Sequence, residues 1–184
     1  KNNFKILITI FLIYFSIMNV NALEDFKFES KSIEIKDNNN ITAREGVSVI
    51  TSDGLEILAE ESEYNKNTKI LNLKRNVSIF DEIENIVIKS DGIIYKKSLE
   101  KILSNKNTLI DINNSHLISG EGIIYHRTKL TILSNQPAVI KDKFNNRIKL
   151  NGFNYFIKSK MLQTKQMEFI DNQSNIYKSN NVMI

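Results

Sequence analysis

The sequence predicts an all-β domain built from stacked repeats of short strands. Three observations carry that expectation. A motif of the form Ile-x-small-x4-Tyr recurs at nearly constant spacing, apolar and polar residues alternate over short stretches, and the composition suits strands joined by Asn-built turns. Of 184 residues, 30 are Ile and 25 are Asn, against six Gly and one Pro, Pro137. Ile packs well on a pleated surface, whereas Asn tolerates the backbone of tight turns.

The motif stands as Ile57-x-Ala59-x4-Tyr64, Ile88-x-Ser90-x4-Tyr95, Ile118-x-Gly120-x4-Tyr125 and Ile148-x-Leu150-x4-Tyr155. Its tyrosines recur at intervals of about 30 residues, within the range of known structural repeats. Three copies share Gly-x-x-Tyr, at Gly92, Gly122 and Gly152. Weaker copies flank them at Phe26 to Ile33 and Tyr177 to Ile184. After each tyrosine comes a polar turn, then a short apolar stretch such as Ile70 to Leu73, Lys101 to Leu103 or Leu130 to Leu133. A second polar turn and a second β-rich stretch follow, as in Val77 to Phe80, Leu109 to Ile112 and Ala138 to Ile140. Glu56 to Tyr64 contains good helix formers, but its repeat partners are strand-like, so a strand is expected there. Each unit buries little alone, and stacking builds the interior. The last unit reaches Ile184 without a polar cap, so pairing with another chain or a longer protein is expected.

Length and composition bound the rest. The apolar share of 41% and charged share of 25% suit one domain with a real core. The net charge of +4 comes from 25 basic and 21 acidic residues interleaved along the chain, with no basic block of the kind that binds nucleic acid. Absence of Cys excludes disulfides, thiolate zinc sites, thiol catalysis and iron–sulfur chemistry. Residues 1–22 read as a secretory signal. Lys1 and Lys5 begin it, an apolar run from Ile6 to Met18 follows, and Val20-Asn21-Ala22 offers a small-residue cleavage site. The run is shorter than the ~20 residues a spanning helix needs. The expected β domain is then residues 23–184, exported from the cytoplasm.

With these motifs in place, the chain resembles the organic-solvent-tolerance-protein A-like (OstA-like) domain of lipopolysaccharide-transport proteins, of the LptA and LptD N-terminal type. The best match is Gly46 to Tyr95, with Leu73-Lys74-Arg75-Asn76-Val77-Ser78-Ile79 leading to Ile88-x-Ser90-x4-Tyr95. The glycine the family usually places before Asn-Val is Arg75 here, and later copies read Asn107-Thr108-Leu109 and Pro137-Ala138-Val139. The resemblance implies an open β-jelly roll, or β-taco, of short antiparallel strands enclosing an apolar trough. It implies a non-catalytic, periplasmic role in outer-membrane assembly, with lipopolysaccharide as ligand and other transport proteins joined by end-to-end strand pairing. The two placements are an LptA-like bridge and the front of an LptD-like protein attached to the outer membrane by a barrel beyond Ile184.

The expected inward set is Val47, Val49, Ile57, Ala59, Val77, Ile79, Ile86, Ile88, Ile110, Ile112, Ile118, Leu130, Ile132 and Val139. It would line an open trough or fill a closed core; the pattern alone leaves both open. No catalytic residues, metal or cofactor are expected. His116 and His126 lack a third ligand at metal spacing, and Glu60, Asp91 and Glu121 recur as single acids at an edge. The repeated tyrosines read mainly as core, and turn lysines such as Lys66, Lys69, Lys101 and Lys129 as solvated charges. The alternative function is a structural or carbohydrate-binding β-solenoid of the cell surface. Its coils would be shorter and more uniform than this period of about 30 residues.

Overall fold

Alternation at period two runs through nearly the whole of residues 26–184, the part of the chain that the computed structural model describes; the leader expected over residues 1–22 lies outside it. The result is β1 (Phe26–Lys36), β2 (Asn40–Thr51), β3 (Leu55–Asn65), β4 (Ile70–Asp81), β5 (Ile86–Lys96), β6 (Lys101–Ser104), β7 (Thr108–Ile112), β8 (His116–Gly120), β9 (Ile123–His126), β10 (Thr131–Asp142), β11 (Arg147–Phe156), β12 (Met161–Ile170) and β13 (Ile176–Met183). All thirteen form one antiparallel sheet. Among the described residues the only helical turn is a 3₁₀ turn at Lys97–Leu99. Glu56 to Tyr64 lies in β3, where Ile57 and Ala59 are buried and Glu56 and Leu58 exposed. Burial of one face overrides local helix propensity there. Asn builds part of the hairpins as expected, with Asn38, Asn85, Asn113 and Asn114 holding φ near 50°, whereas Lys69, Glu100, Leu130 and Lys160 take the left-handed position in other turns.

The strands are longer than the sequence suggests. The second polar turn of most units does not reverse the chain; it is a bulge inside one strand. Pairing slips in β2 between Arg44 and Val47, in β4 between Lys74 and Val77, and in β10 between Ser134 and Pro137. Glu45, Gly46, Arg75 and Asn76 take positive φ at these points, which bends the strand while pairing continues beyond it. Around residues 105–107 and 121–122 the break is complete. There β5 pairs first with β7 and then with β6, and β10 with β9 and then β8. The breaks form a line across the sheet, along which it folds into two facing rows. This is the β-jelly roll expected above, open in that among the described residues β1 and β13 stand at its two edges.

The bend explains the odd spacing of the motif. Ile57 and Tyr64 are seven residues apart, so unbroken alternation would send them to opposite faces. Pairing of β3 with β4 slips between Leu58 and Glu61, and the buried positions shift phase from 57 and 59 to 62 and 64. Both ends of the motif therefore face inward. The small residue sits where neighbouring strands come closest. At Gly120 a Cβ would lie 2.9 Å from the Pro137 carbonyl oxygen and 3.1 Å from the Ala138 Cβ. The fourth copy departs from the small residue with Leu150, which pairs with Ala138 and Met167.

The rows are displaced along the roll. The β2–β3 turn of one row meets the β5–β6 and β9–β10 turns of the other, through Asp53, Lys97 and Arg127. Each end therefore leaves a half-strand uncovered. Ile33 and Ile35 pair with the inward Ala43 and Ile41, yet are 46% and 62% exposed. Ile176, opposite the buried Ile170, is 58% exposed.

Candidate functional site

The interior is built from two ladders of directly paired side chains. In the first row Phe28, Val49, Ile57, Ile79, Ile88, Ile110, Ile118, Ile140 and Ile148 are successive cross-strand partners. In the second, Tyr64, Leu71, Tyr95, Ile102, Tyr125, Ile132, Tyr155 and Leu162 alternate aromatic and aliphatic. The Ile of the motif belongs to the first ladder and the Tyr to the second. Such pairs are the stabilising unit of a sheet. Phe26 packs across the rows, edge-on to Tyr95 with ring centroids 5.9 Å apart.

Twelve of the fourteen residues expected inward are buried: Val47, Val49, Ile57, Ala59, Val77, Ile79, Ile86, Ile88, Ile110, Ile112, Ile118 and Ile132. Val139 is not. Ala138 and Ile140 face in and Val139 faces out opposite Lys149, because a one-residue slip exchanges the faces of a strand. Leu130 is only partly buried; it lies in the β9–β10 turn at φ 49° and packs against the margin of the core. Local pattern also misses most of the second row, including Leu71, Ile93, Ile102 and Ile123. In Ile93-Ile94 and Ile123-Ile124 either residue could face in, and pairing selects the one two before the tyrosine. Leu71, Ile102, Ile132 and Leu162 recur at the same interval as the tyrosines, and that shared interval is the signal that identifies this row.

A line of hydroxyls follows the bend. Ser104, Ser134 and Thr164, each one repeat after the last, donate to the carbonyls of Gly92 at 3.1 Å, Glu121 at 3.0 Å and Gly152 at 2.7 Å. Ser90 lies 2.9 Å from Ser104, and Thr108 donates to Ser90 at 3.2 Å. These bonds satisfy carbonyls that the broken ladder would leave unpaired. The preceding equivalent is Leu73, so the inner side of the bend turns from apolar to polar along the roll.

A polar clasp joins the free rims of the rows. Arg127 donates from Nε to Asp81 Oδ2 at 2.9 Å and from Nη1 to Asp53 Oδ2 and Glu100 Oε2, both at 2.7 Å. Lys97 bridges Asp53 and Glu100. Tyr125 donates to Asp81 at 3.0 Å and Tyr95 to Glu100 at 2.9 Å. Asp81 and Arg127 are nearly inaccessible, with side chains 2% and 9% exposed. The clasp groups are 44 to 74 residues apart in sequence wherever they bridge the rows, and sequence reasoning misses them.

Burial by itself raises the Asp53 carboxyl, but bonds from Lys97, Thr51 and Arg127 outweigh it and hold the group well below its ordinary 3.8. Burial pushes the Tyr95 and Tyr125 phenols up, and the Glu100 and Asp81 carboxylates add to the effect. The signs give a stability plateau. A depressed carboxyl contributes stability present above its unfolded value of 3.8 and lost as pH falls through the folded one. A raised phenol contributes stability present below 10.0 and lost as pH rises. The urea midpoint should stay level between about pH 7 and 10, dip slightly below that because burial and the nearby Lys101 and Lys129 hold His126 down, and fall further below about pH 4 and above about pH 10. In Asp53→Asn the acid limb should flatten; an unchanged limb would remove Asp53 from its cause.

Chemically, the interior is an apolar core of packed side chains, and the clasp ties the two rims together. His116 and His126 are half-buried, and no group of His, Asp or Glu with the geometry of a metal site occurs among the described residues. Glu60 pairs with Arg75 at 2.9 Å on the outside of the bend, whereas Asp91 and Glu121 are exposed. No curated protein matches the chain. A solved structure with some likeness is the wild-type TCP10 domain of Danio rerio CPAP, at 10% identity over 83% of this chain and 97% of that one, with a TM-score of 0.18. So low a score has no bearing on the fold or its use. The OstA-like protein family model, in contrast, matches residues 27–159, which span both ladders from β1 to Tyr155 and the whole clasp. A two-row β roll with that match over most of its length belongs to the OstA-like protein family.

Proposed function

We propose that this protein is a non-catalytic periplasmic module that binds and passes on lipopolysaccharide during outer-membrane assembly, taking the acyl chains between its two rows. The observation that carries the reading is a single apolar cluster running from Phe26 to Leu162, in a member of the OstA-like family. An acyl chain gains about 0.8 kcal/mol for each CH₂ moved out of water. Isoleucine ladders provide that environment without a catalytic group. Over its middle the interior is filled by its own side chains, so uptake requires the rows to part, with the clasp as the contact that yields.

Family membership supports the transport setting, and the uncovered Ile33, Ile35 and Ile176 support end-to-end pairing with other transport proteins. Edge strands present unpaired backbone groups, and inward-facing isoleucines beside them continue the apolar interior into a partner. An LptD-like front and an LptA-like bridge both fit such ends. The test is photo-crosslinking to labelled lipopolysaccharide, with the reactive residue at Ile88 or at Lys89. Ile88 is on the inner ladder and Lys89 is exposed on the outer face. An adduct at Ile88 and none at Lys89 is the expected result. No adduct at Ile88, Ile57 or Ile118 would mean a sealed core and would favour a structural or carbohydrate-binding role.

A further inference from the structure

The two rims of the roll carry opposite charge. The turns of the second row comprise residues 37–39, 66–69, 97–100, 127–130 and 157–160, and hold seven cations against two acids. Those of the first row, residues 52–54, 82–85, 113–115, 143–146 and 171–175, hold one cation against four acids. The cations recur with the repeat: Lys66 and Lys69 in one turn, Lys129 beside Arg127, then Lys158 and Lys160. Two strands separate successive turns of a rim, so the charges recur about every 10 Å. Where the rims meet, Lys97 and Arg127 already hold carboxylates, those of Asp53 and Asp81. Beyond that contact Lys66, Lys129, Lys158 and Lys160 are exposed to solvent.

We propose that the second-row rim is a binding ladder for the phosphates of an anionic, acylated glycolipid, which rests on the lipopolysaccharide reading above. An acyl chain entering between the rows leaves its headgroup at the mouth, and only one side of the mouth is cationic. Phosphates would lie along that side, and the acidic rim would repel them. The asymmetry orients the ligand, which an apolar interior alone does not do.

The test uses micelles of bisphosphorylated lipid A, the same lipid with both phosphates removed, and soluble tripolyphosphate. The rim variant combines Lys66→Gln, Lys129→Gln, Lys158→Gln and Lys160→Gln, all outside the clasp. A control of equal charge change combines Lys31→Gln, Lys89→Gln, Lys106→Gln and Lys165→Gln, all exposed and away from the rim. The rim variant should lose about tenfold or more in affinity for the phosphorylated lipid, by a salt-sensitive margin, and nothing for the dephosphorylated one. The control should keep both. Equal losses in rim and control variants, or no loss in the rim variant, would overturn the proposal. So would tripolyphosphate binding the wild type as tightly as the phosphorylated micelles do. An Ile88 adduct with dephosphorylated lipid, alongside an indifferent rim, would sink the ladder and leave acyl uptake standing. No adduct and no binding with either lipid would overturn both.

Discussion

Arg127→Ala is expected to destabilise the fold by about 3–5 kcal/mol, the usual cost of removing one partner from a buried ion pair. The side chain of Asp81 is 2% exposed and would keep only the Tyr125 hydroxyl among its clasp bonds. Asp53 and Glu100 would keep Lys97. Most of this loss is the penalty of an uncompensated charge, so a paired apolar replacement, Arg127→Met with Asp81→Leu, should recover much of it. Urea unfolding of the wild type and both variants measures the two effects. A single variant within about 1 kcal/mol of wild type would show that the clasp does not hold the rows together. The functional consequence has the opposite sign. In the paired apolar variant the rows keep the Lys97–Asp53 bridge but lose the Arg127 and Tyr125 bonds across them while the core is kept, so lipid adducts at Ile88 should form faster than in the wild type.

Ile79→Ala should cost about 2–5 kcal/mol, whereas Val139→Ala should stay within about 0.5 kcal/mol. Ile79 is fully buried in the first ladder between Ile57 and Ile88, and its loss leaves a void that close-packed neighbours fill only in part. Val139 stands on the outer face between Ser119 and Lys149. Comparable losses at the two positions would place Val139 inside and invalidate the register of β10. The Ile79→Ala void also reports on function. An apolar cavity stays dry and accepts apolar ligands, so an acylated ligand should stabilise this variant more than it stabilises the wild type. Thermal unfolding with and without lipid reads that difference; equal shifts would mean that acyl chains do not reach Ile79.

Val139 and Leu130 show how far a repeat can be read without its pairing. Both are apolar residues in β-rich stretches, which is all that local pattern asks of a core position. Spacing from secure positions points elsewhere: one period leads from Ile110 to Ile140, and from Ile102 to Ile132. A ladder needs equivalent residues at equivalent register, so the period discriminates better than local hydrophobicity. Ile93-Ile94 and Ile123-Ile124 stay ambiguous by local pattern, because both residues suit a strand.

The amino-acid sequence is sufficient for an all-β chain, a unit that repeats with each motif tyrosine, those hairpins that turn on Asn, the Ile that accompanies each tyrosine, and through these the OstA-like family. These depend on local chemistry: alternation, turn preference and the repetition of one pairing register. Three-dimensional packing was needed to establish that the second polar turn bends a strand without reversing it, since a bulge and a turn use the same residues and differ in whether pairing continues beyond them. Packing also sets the displacement of the rows, which brings Asp53 to Arg127 across 74 residues and leaves Ile33 and Ile176 uncovered. Twist and side-chain packing over all strands fix that displacement, and no single unit encodes it. The clasp follows from it, because a charge on one hairpin acquires its partner only when two distant hairpins are brought together.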